Sequence, residues 1–167
     1  LHDALPISNI LDTVKAKLIQ ANTDTTSTEG RDAISKDVKK LLEQLNNIAE
    51  QTNYNGTTLL QVSSTSKAVS SGLTFQVGET SADTITNTGI QANTSGLALT
   101  TLIGLTAASS LTQTIAAAQQ TVIDTALTKL NGYRGDIGST QNQVESAVRN
   151  LMTQSTNVSA AESIIRD

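Results

Sequence analysis

Residues 111–165 read LTQTIAAAQQTVIDTALTKLNGYRGDIGSTQNQVESAVRNLMTQSTNVSAAESII, and apolar residues recur in them every three or four positions. The pattern holds over roughly six to seven heptads, which predicts one long helix with a continuous apolar seam. At about 1.5 Å per residue, 50 residues would make a rod of roughly 75 Å. A helix of that length indicates an elongated bundle, a coiled coil or a filament rather than a compact domain.

A second heptad pattern lies upstream, in residues 29–52. Its seam positions are spaced four, three, four and three residues apart, and Leu42 and Ala49 widen the apolar face. A short region joins this helix to residues 111–165 and must reverse the chain, so we expect the two helices to pack antiparallel. Thr26 and Glu29 have capping-box spacing and predict the helix start. The seam residues are Ile34, Val38, Leu41, Leu45 and Ile48.

A shorter helix is predicted at the N-terminal end of the chain, over residues 9–22, where Ile10, Leu11, Val14 and Leu18 share one face. Residues 1–8, LHDALPIS, do not fit this pattern because a proline breaks a helix interior. We interpret residues 1–8 as a foreign or disordered segment and residues 9–167 as one domain.

Short strands and loops are predicted between the two heptad regions, over residues 63–110 and just before them. The Asn53–Gly56 sequence N-Y-N-G is a turn signal. Residues 57–62 and 73–77 have the composition of short strands, and residues 84–85 add a third. Residues 87–110 are expected to form a loop with one short apolar turn around residues 97–105.

Three glycines lie inside the long predicted helix, at positions 132, 135 and 138. Each costs about 1 kcal/mol relative to alanine if the helix is regular. Two interpretations remain open: a tolerated weak point or a real break near residues 131–138, or close backbone approach to a neighbouring helix or subunit.

Composition argues against several functional classes. The net charge of -4 gives no reason to expect nucleic acid or a membrane as a partner, and no cysteine is present for disulfides or thiolate metal sites. His2 is the sole histidine, and no metal, nucleotide or nucleophile motif occurs, so we predict that the chain is not an enzyme and has no cofactor. The glycosylation sequons at residues 55–57 and 93–95 are better interpreted as turns.

Two stretches of this sequence resemble bacterial flagellin. The first is Arg31, Ile34 and the run LLEQLNNIAEQTNYNGTTLLQ at 41–61, followed by F-Q-V-G at 75–78. The second is LTKLNGYRGDIGSTQNQVESAVRNLMTQSTNVSAAESIIRD at 127–167. The segments VKAKLIQAN at 14–22 and QNQVES at 141–146 resemble the corresponding sequences of epsilon-proteobacterial flagellins. The motif positions that carry the resemblance are Arg31, Ile34, Leu41, Leu45, Ile48, Asn55, Gly56, Arg134, Gly138, Gln141, Asn142, Asn150 and Leu151.

This resemblance implies a fold and a role. The fold is the flagellin D1 rod: a mainly α, elongated antiparallel bundle of long heptad helices with small β-hairpins. We expect the terminal D0 helices and the outer D2 and D3 domains to be absent. The implied role is a structural subunit of the flagellar filament, secreted by the flagellar export apparatus to the cell exterior. Its implied partners are other flagellin subunits, an export chaperone and the filament cap.

Other functional classes are less well matched. A flagellin paralogue, such as the hook–filament junction protein or a secreted flagellin-like factor, is the main alternative. A coiled-coil adhesin or a chemoreceptor rod would have long heptads without the N-Y-N-G turn and the F-Q-V-G strand.

The resemblance also implies a receptor-facing segment. Flagellins sensed by the Toll-like flagellin receptor carry R-E-L-A-V-Q, which aligns with residues 15–20 here. Lys15 replaces an arginine, Lys17 replaces an apolar leucine, and Gln20 is retained. We therefore expect weak or absent receptor activation.

Overall fold

The computed structural model of the chain describes residues 4–54, 56–62, 66–105 and 110–166, and the described part is mainly helical. It divides into a first compact unit, Leu1–Ser71 with Gly89–Arg134, and a second, Gly72–Thr88 with Gly135–Asp167. The predicted class, antiparallel helices with small hairpins, is confirmed. The elements in chain order are α1 (Ala4–Ala21), α2 (Thr28–Gln51), β1 (Asn53–Tyr54), β2 (Thr57–Thr58), β3 (Thr74–Gln76), β4 (Thr84–Thr86), α3 (Thr100–Ile103) and α4 (Gln113–Arg166).

Helix α1 begins at Ala4, five residues before the start that the sequence predicted. Pro6 lies in the first turn, where the backbone N–H groups have no intrahelical partner and a missing N–H costs nothing. Ile7 is fully buried, so this turn is part of the folded unit. The foreign origin of residues 1–8 stays a prediction, and residues 1–3 lie outside the described part.

Helix α2 is capped by Ser27 and not by the predicted Thr26. The Ser27 hydroxyl accepts a hydrogen bond of 3.0 Å from the backbone N–H of Gly30. The Thr26 hydroxyl is directed elsewhere, because it donates to the Gln20 carbonyl at 2.7 Å. The connection between α1 and α2 therefore uses both hydroxyls, one for each helix end.

The buried face of α2 differs in part from the predicted seam. Ile34, Val38 and Leu45 are buried as predicted, but Leu41 and Ile48 are only half-buried. Leu42 and Ala49 are fully buried in their place. An ordinary α-helix has 3.6 residues per turn, so its buried face drifts away from a strict heptad within three turns.

Helix α1, and not α2, is the antiparallel partner of α4. The start of α4 lies at the end of α1, where Gln113 Nε2 donates to the Asn22 carbonyl at 2.9 Å, and Lys15 pairs with Asp124 further along. Arg31 likewise lies at the end of α1, and Lys17 pairs with Asp37. Both α2 and α4 therefore run opposite to α1.

The predicted antiparallel packing of helix 29–52 with helix 111–165 is consequently wrong. The chain leaves the end of α2 and returns to its beginning before α4 starts. Ser35 Oγ, near the start of α2, donates to the Leu105 carbonyl at 2.8 Å. A connection long enough to return to the beginning of the helix leaves the next helix parallel to it.

Two separate hairpins form the β structure. Strands β1 and β2 pair Tyr54 with Thr57, and Gly56 between them has φ of +80°, a conformation that favours glycine. The predicted turn is thus present, but the strand expected over residues 57–62 ends at Thr58 because Leu60 and Gln61 turn into the interior. In the second unit β3 pairs with β4, with Phe75 opposite Ile85.

The hydrophobic core of the described residues lies entirely within the first unit. Helix α1 contributes five fully buried side chains of residues 7–21 that recur at helical spacing, and α4 contributes four between residues 116 and 130. Residues 87–110 were expected to be a loop with one short apolar turn. Within them, residues 90–103 contain α3 and close this core with Ile90, Ala92, Leu97, Leu99 and Leu102.

Helix α4 continues without a break through its three glycines. A Cβ atom built on Gly132, Gly135 or Gly138 would meet nothing within 4 Å. The predicted alternative of a break near residues 131–138 is therefore not observed. Close approach to another described segment of this chain is not observed either.

Candidate assembly surface

Arg31 joins α1 to α2 at the end of α1. Its Nε donates to the Ala21 carbonyl at 2.8 Å and its Nη2 to the Thr23 carbonyl at 3.2 Å. Carbonyls at a helix C-terminus lack intrahelical partners and carry partial negative charge, so a guanidinium placed there is favourable. The sequence singled out Arg31 as a motif residue, and its geometry is that of a helix cap.

Two ion pairs connect α1 to its neighbours in the first unit. Lys15 Nζ lies 2.5 Å from Asp124 Oδ1, and Lys17 Nζ lies 2.9 Å from Asp37 Oδ2. The Lys17 ammonium, which hydrogen-bonds Asp37, holds the pKa of that carboxyl below its ordinary value of 3.8. Both predicted receptor-facing lysines are therefore engaged within the chain, whereas Gln20 is exposed.

A buried polar cluster holds the loops of the first unit together. Asn93 is fully buried, and its Nδ2 donates to Gln61 Oε1 and to the Lys67 carbonyl, both at 2.9 Å. Its Oδ1 accepts from the backbone N–H of Gly96 at 2.9 Å. Because this amide is buried and its oxygen and nitrogen are both hydrogen-bonded, Asn93 stabilises the turn that the sequence predicted at residues 93–95.

The same cluster reaches two helices. Asn46 Oδ1 on α2 accepts from both the N–H and the hydroxyl of Thr94, at 2.9 and 3.0 Å. Lys129 on α4 donates to the Gly96 carbonyl at 2.7 Å. Sequence reasoning missed these residues, although the turn-forming run N-T-S-G at 93–96, which precedes an apolar stretch, was a usable signal.

The remaining motif residues are spread along elements and do not converge on one site. Gly56 lies in the first hairpin turn, and Asn55 lies outside the described residues. Arg134 and Gly138 are half-buried on α4, and Gln141 donates to Glu145 on the next turn at 3.1 Å. Asn142, Asn150 and Leu151 are exposed. Such a distribution suits packing surfaces rather than a pocket.

The C-terminal part of α4 presents an uncovered apolar stripe. In the second unit, every described side chain from Val148 to Arg166 is exposed. Leu151 is 37% exposed, Val158 68% and Ile165 87%. Apolar side chains at intervals of seven residues are therefore exposed along this part of α4.

Neither a metal cluster nor a membrane-spanning helix is found among the described residues. No group of three or more His, Cys, Asp or Glu side chains there could hold a metal ion. None of the helices in that part of the chain is both long and apolar enough to cross a membrane.

Both ends of the chain match known protein-family regions. Residues 5–65 match the bacterial flagellin N-terminal helical region, and residues 120–167 match the bacterial flagellin C-terminal helical region. The first region contains α2, the first hairpin and nearly all of α1. The second contains most of α4. The two matched regions therefore include the helices that form the antiparallel pair.

Individual proteins give the same result. The chain is 34% identical to flagellin B of Helicobacter pylori over 110 residues, which is 62% of this chain and 21% of that protein. It is 31% identical over 128 residues to the putative flagellin YvzB of Bacillus subtilis, covering 76% of this chain and 74% of that protein. The crystal structure of Bacillus cereus flagellin superposes with a TM-score of 0.72 at 27% identity, covering 96% of this chain and 86% of that one.

The chain spans about a fifth of the length of the Helicobacter relative but about three quarters of YvzB. Its two matched regions, its relatives and its fold agree with one another. The chain belongs to the bacterial flagellin family.

Proposed function

We propose that this chain is a structural subunit of the bacterial flagellar filament, and that the helices of the first unit serve as its D1 packing element for motility. One observation carries the proposal: α1 and α4, which come from the two matched flagellin regions, pair antiparallel around one buried core. The pairing uses Lys15 with Asp124 and Gln113 with the Asn22 carbonyl. Residues far apart in sequence thus build one helical body.

A structural role and not an enzymatic one follows from the family. Flagellins are structural proteins, and the motif residues of this chain lie along helices and in a tight turn. Arg31 caps a helix, and Ile34 and Leu45 are core residues. These are packing functions that a filament subunit requires.

The partners and location follow from the same proposal. Other flagellin subunits form the homopolymer, and the exposed apolar stripe of α4 supports contact with further helices. An export chaperone and the filament cap complete the set of partners, and the assembled location is the cell exterior. The likeness to Helicobacter flagellins supports an epsilon-proteobacterial type.

The receptor-facing segment of α1 supports weak activation of the Toll-like flagellin receptor. Lys17 places a charge, paired with Asp37, where the sensed flagellins have a leucine. Changing Lys15 to Arg and Lys17 to Leu in a full-length parent should raise the response of reporter cells. An unchanged response, or a strong response by the unmodified parent, would contradict this proposal.

The filament role can be tested by replacement in a flagellin-null host. Residues 9–167 would substitute for the matching segment of a host flagellin, with secretion, electron microscopy and swimming as readouts. Filaments and motility are expected, and a Leu45→Asp control should abolish both through loss of the core. A secreted, folded product that forms no filament would overturn the proposal. Labelling restricted to the junction between hook and filament would favour the junction-protein alternative.

A further inference from the structure

Residues 93–98 form a turn that ends in a strained residue. The backbone N–H of Leu99 donates to the Thr94 carbonyl at 2.7 Å, which is the bond that closes the end of a helical turn. Ala98, just before it, has φ of +59°, a left-handed conformation that glycine adopts readily and alanine does not. A residue other than glycine keeps such a conformation only where surrounding contacts hold the backbone.

Side chains from two helices hold this turn. Asn46 of α2 accepts from both the N–H and the hydroxyl of Thr94, at 2.9 and 3.0 Å. Lys129 of α4 donates to the Gly96 carbonyl at 2.7 Å. A Cβ on Gly96 would lie 2.1 Å from the Gln91 carbonyl oxygen, so the turn also packs directly against the backbone that precedes it. The turn is therefore held from α2, from α4 and from its own segment.

These contacts complete a set of connections among α1, α2 and α4. Lys17 pairs with Asp37 and ties α1 to α2. Lys15 pairs with Asp124 and ties α1 to α4. By themselves, these two ties leave the spacing between α2 and α4 free to vary, because each helix can pivot about α1. The turn at residues 93–98 joins α2 to α4 and removes that freedom.

We propose that residues 93–98 act as a brace that sets the spacing between α2 and α4, and that Lys129 is a positioning residue for filament assembly. A helical polymer repeats the same contact at every subunit, so a helix that is displaced in one chain is displaced at every contact of the filament. The role in assembly rests on the proposed function, whereas the brace is a property of the free chain.

Distances between spin labels test the brace, because the chain has no cysteine of its own. Labels at Gln44→Cys on α2 and Thr125→Cys on α4, both exposed sites, report the spacing of those helices by double electron–electron resonance. Lys129→Met should shift or broaden this distance distribution, and Lys129→Arg, which keeps a charged donor, should leave it as in the unmodified chain. Labels at Ala16→Cys and Gln44→Cys report α1 against α2 and should not respond.

The strained alanine provides a second measurement. Glycine adopts the left-handed conformation readily, so Ala98→Gly should let the turn keep its shape, with Leu97 and Leu99 buried, when the Lys129 contact is lost. Lys129→Met should then change the α2–α4 distance by less than half as much in the Ala98→Gly background as in the unmodified chain. Equal changes in the two backgrounds would show that Lys129 does not hold the strained turn, and would overturn the brace.

Replacement in the flagellin-null host tests the role in assembly. Lys129→Met should be secreted and folded but form filaments at least tenfold shorter, and Lys129→Arg should restore their length. Lys36→Met, at an exposed site on α2, is the matched control and should leave the length unchanged.

An unaltered α2–α4 distance in Lys129→Met overturns the brace. An altered distance with filaments of normal length overturns the positioning role. If the unmodified replacement forms no filament, the proposed function fails, and the spin-label distances still decide the brace.

Discussion

Arg31 shows how a single residue can hold two helices in place. It donates to two carbonyls at the end of α1 while it belongs to the first turn of α2. Arg31→Ala should lower the free energy of unfolding by about 1–3 kcal/mol. The change removes hydrogen bonds from a charged donor and leaves the two carbonyls without them. Urea denaturation measures the change. Lys36→Ala, an exposed site on the same helix, should change stability by less than about 0.5 kcal/mol, and equal effects would refute the capping role.

The Lys17–Asp37 ion pair should make stability depend on acidity. The hydrogen bond from Lys17 lowers the folded-state pKa of Asp37 below 3.8, so its contribution is present above that pH and is lost as the pH falls through the lowered pKa. Asp37→Asn should therefore reduce the melting temperature slightly at pH 7, and this reduction should shrink as the pH falls through the lowered pKa. Asp12→Asn, an exposed site on α1, is the matched control. A difference that does not shrink as the solution is acidified would show that the side chain acts by some other means.

At the scale of elements, two kinds of glycine should respond in opposite ways to alanine. A Cβ on Gly135 meets nothing within 4 Å, so Gly135→Ala should stabilise α4 by about 1 kcal/mol. A Cβ on Gly89 would lie 2.0 Å from the Ser70 carbonyl oxygen, so Gly89→Ala should destabilise the first unit by more than 2 kcal/mol. Thermal unfolding of each variant checks the signs. If Gly135→Ala stabilises the free chain and yet blocks filament assembly, close approach of a neighbouring subunit explains the glycine.

The same elements show what sequence could and could not predict. Heptad spacing predicted α2 and α4 to within about two residues because apolar periodicity is a local property, and N-Y-N-G predicted a turn at Gly56. Which helices pack together could not be predicted in this way, because helix pairing depends on residues far apart in sequence. Lys15 and Asp124, for example, are 109 positions apart, and no local spacing pattern relates them. The Asn93 cluster was missed because a buried amide in a loop resembles an ordinary turn residue until its partners Gln61 and Asn46 are known.

On the scale of the whole chain, the core is distributed unevenly. Every buried residue of the described part belongs to the first unit, from Ile7 to Leu130. The second unit contains the exposed end of α4 and the β3–β4 hairpin. Local stability follows buried apolar contact, so amides of α1, α2 and residues 116–130 should exchange slowly with solvent, and those of residues 148–166 rapidly.

This uneven core predicts the effect of shortening the chain. Deletion of residues 143–167 should leave the free energy of unfolding of the first unit within about 0.5 kcal/mol of its original value, because none of the described side chains that it removes is buried. Deletion of residues 125–167 also removes Ala126 and Leu130, and the loss of a buried leucine alone should cost about 2–5 kcal/mol. Urea denaturation followed by hydrogen exchange in α1 compares both with the full chain, at concentrations low enough to exclude association. A large loss in the shorter deletion would mean that residues 143–167 support the core of the first unit, contrary to the burial observed here.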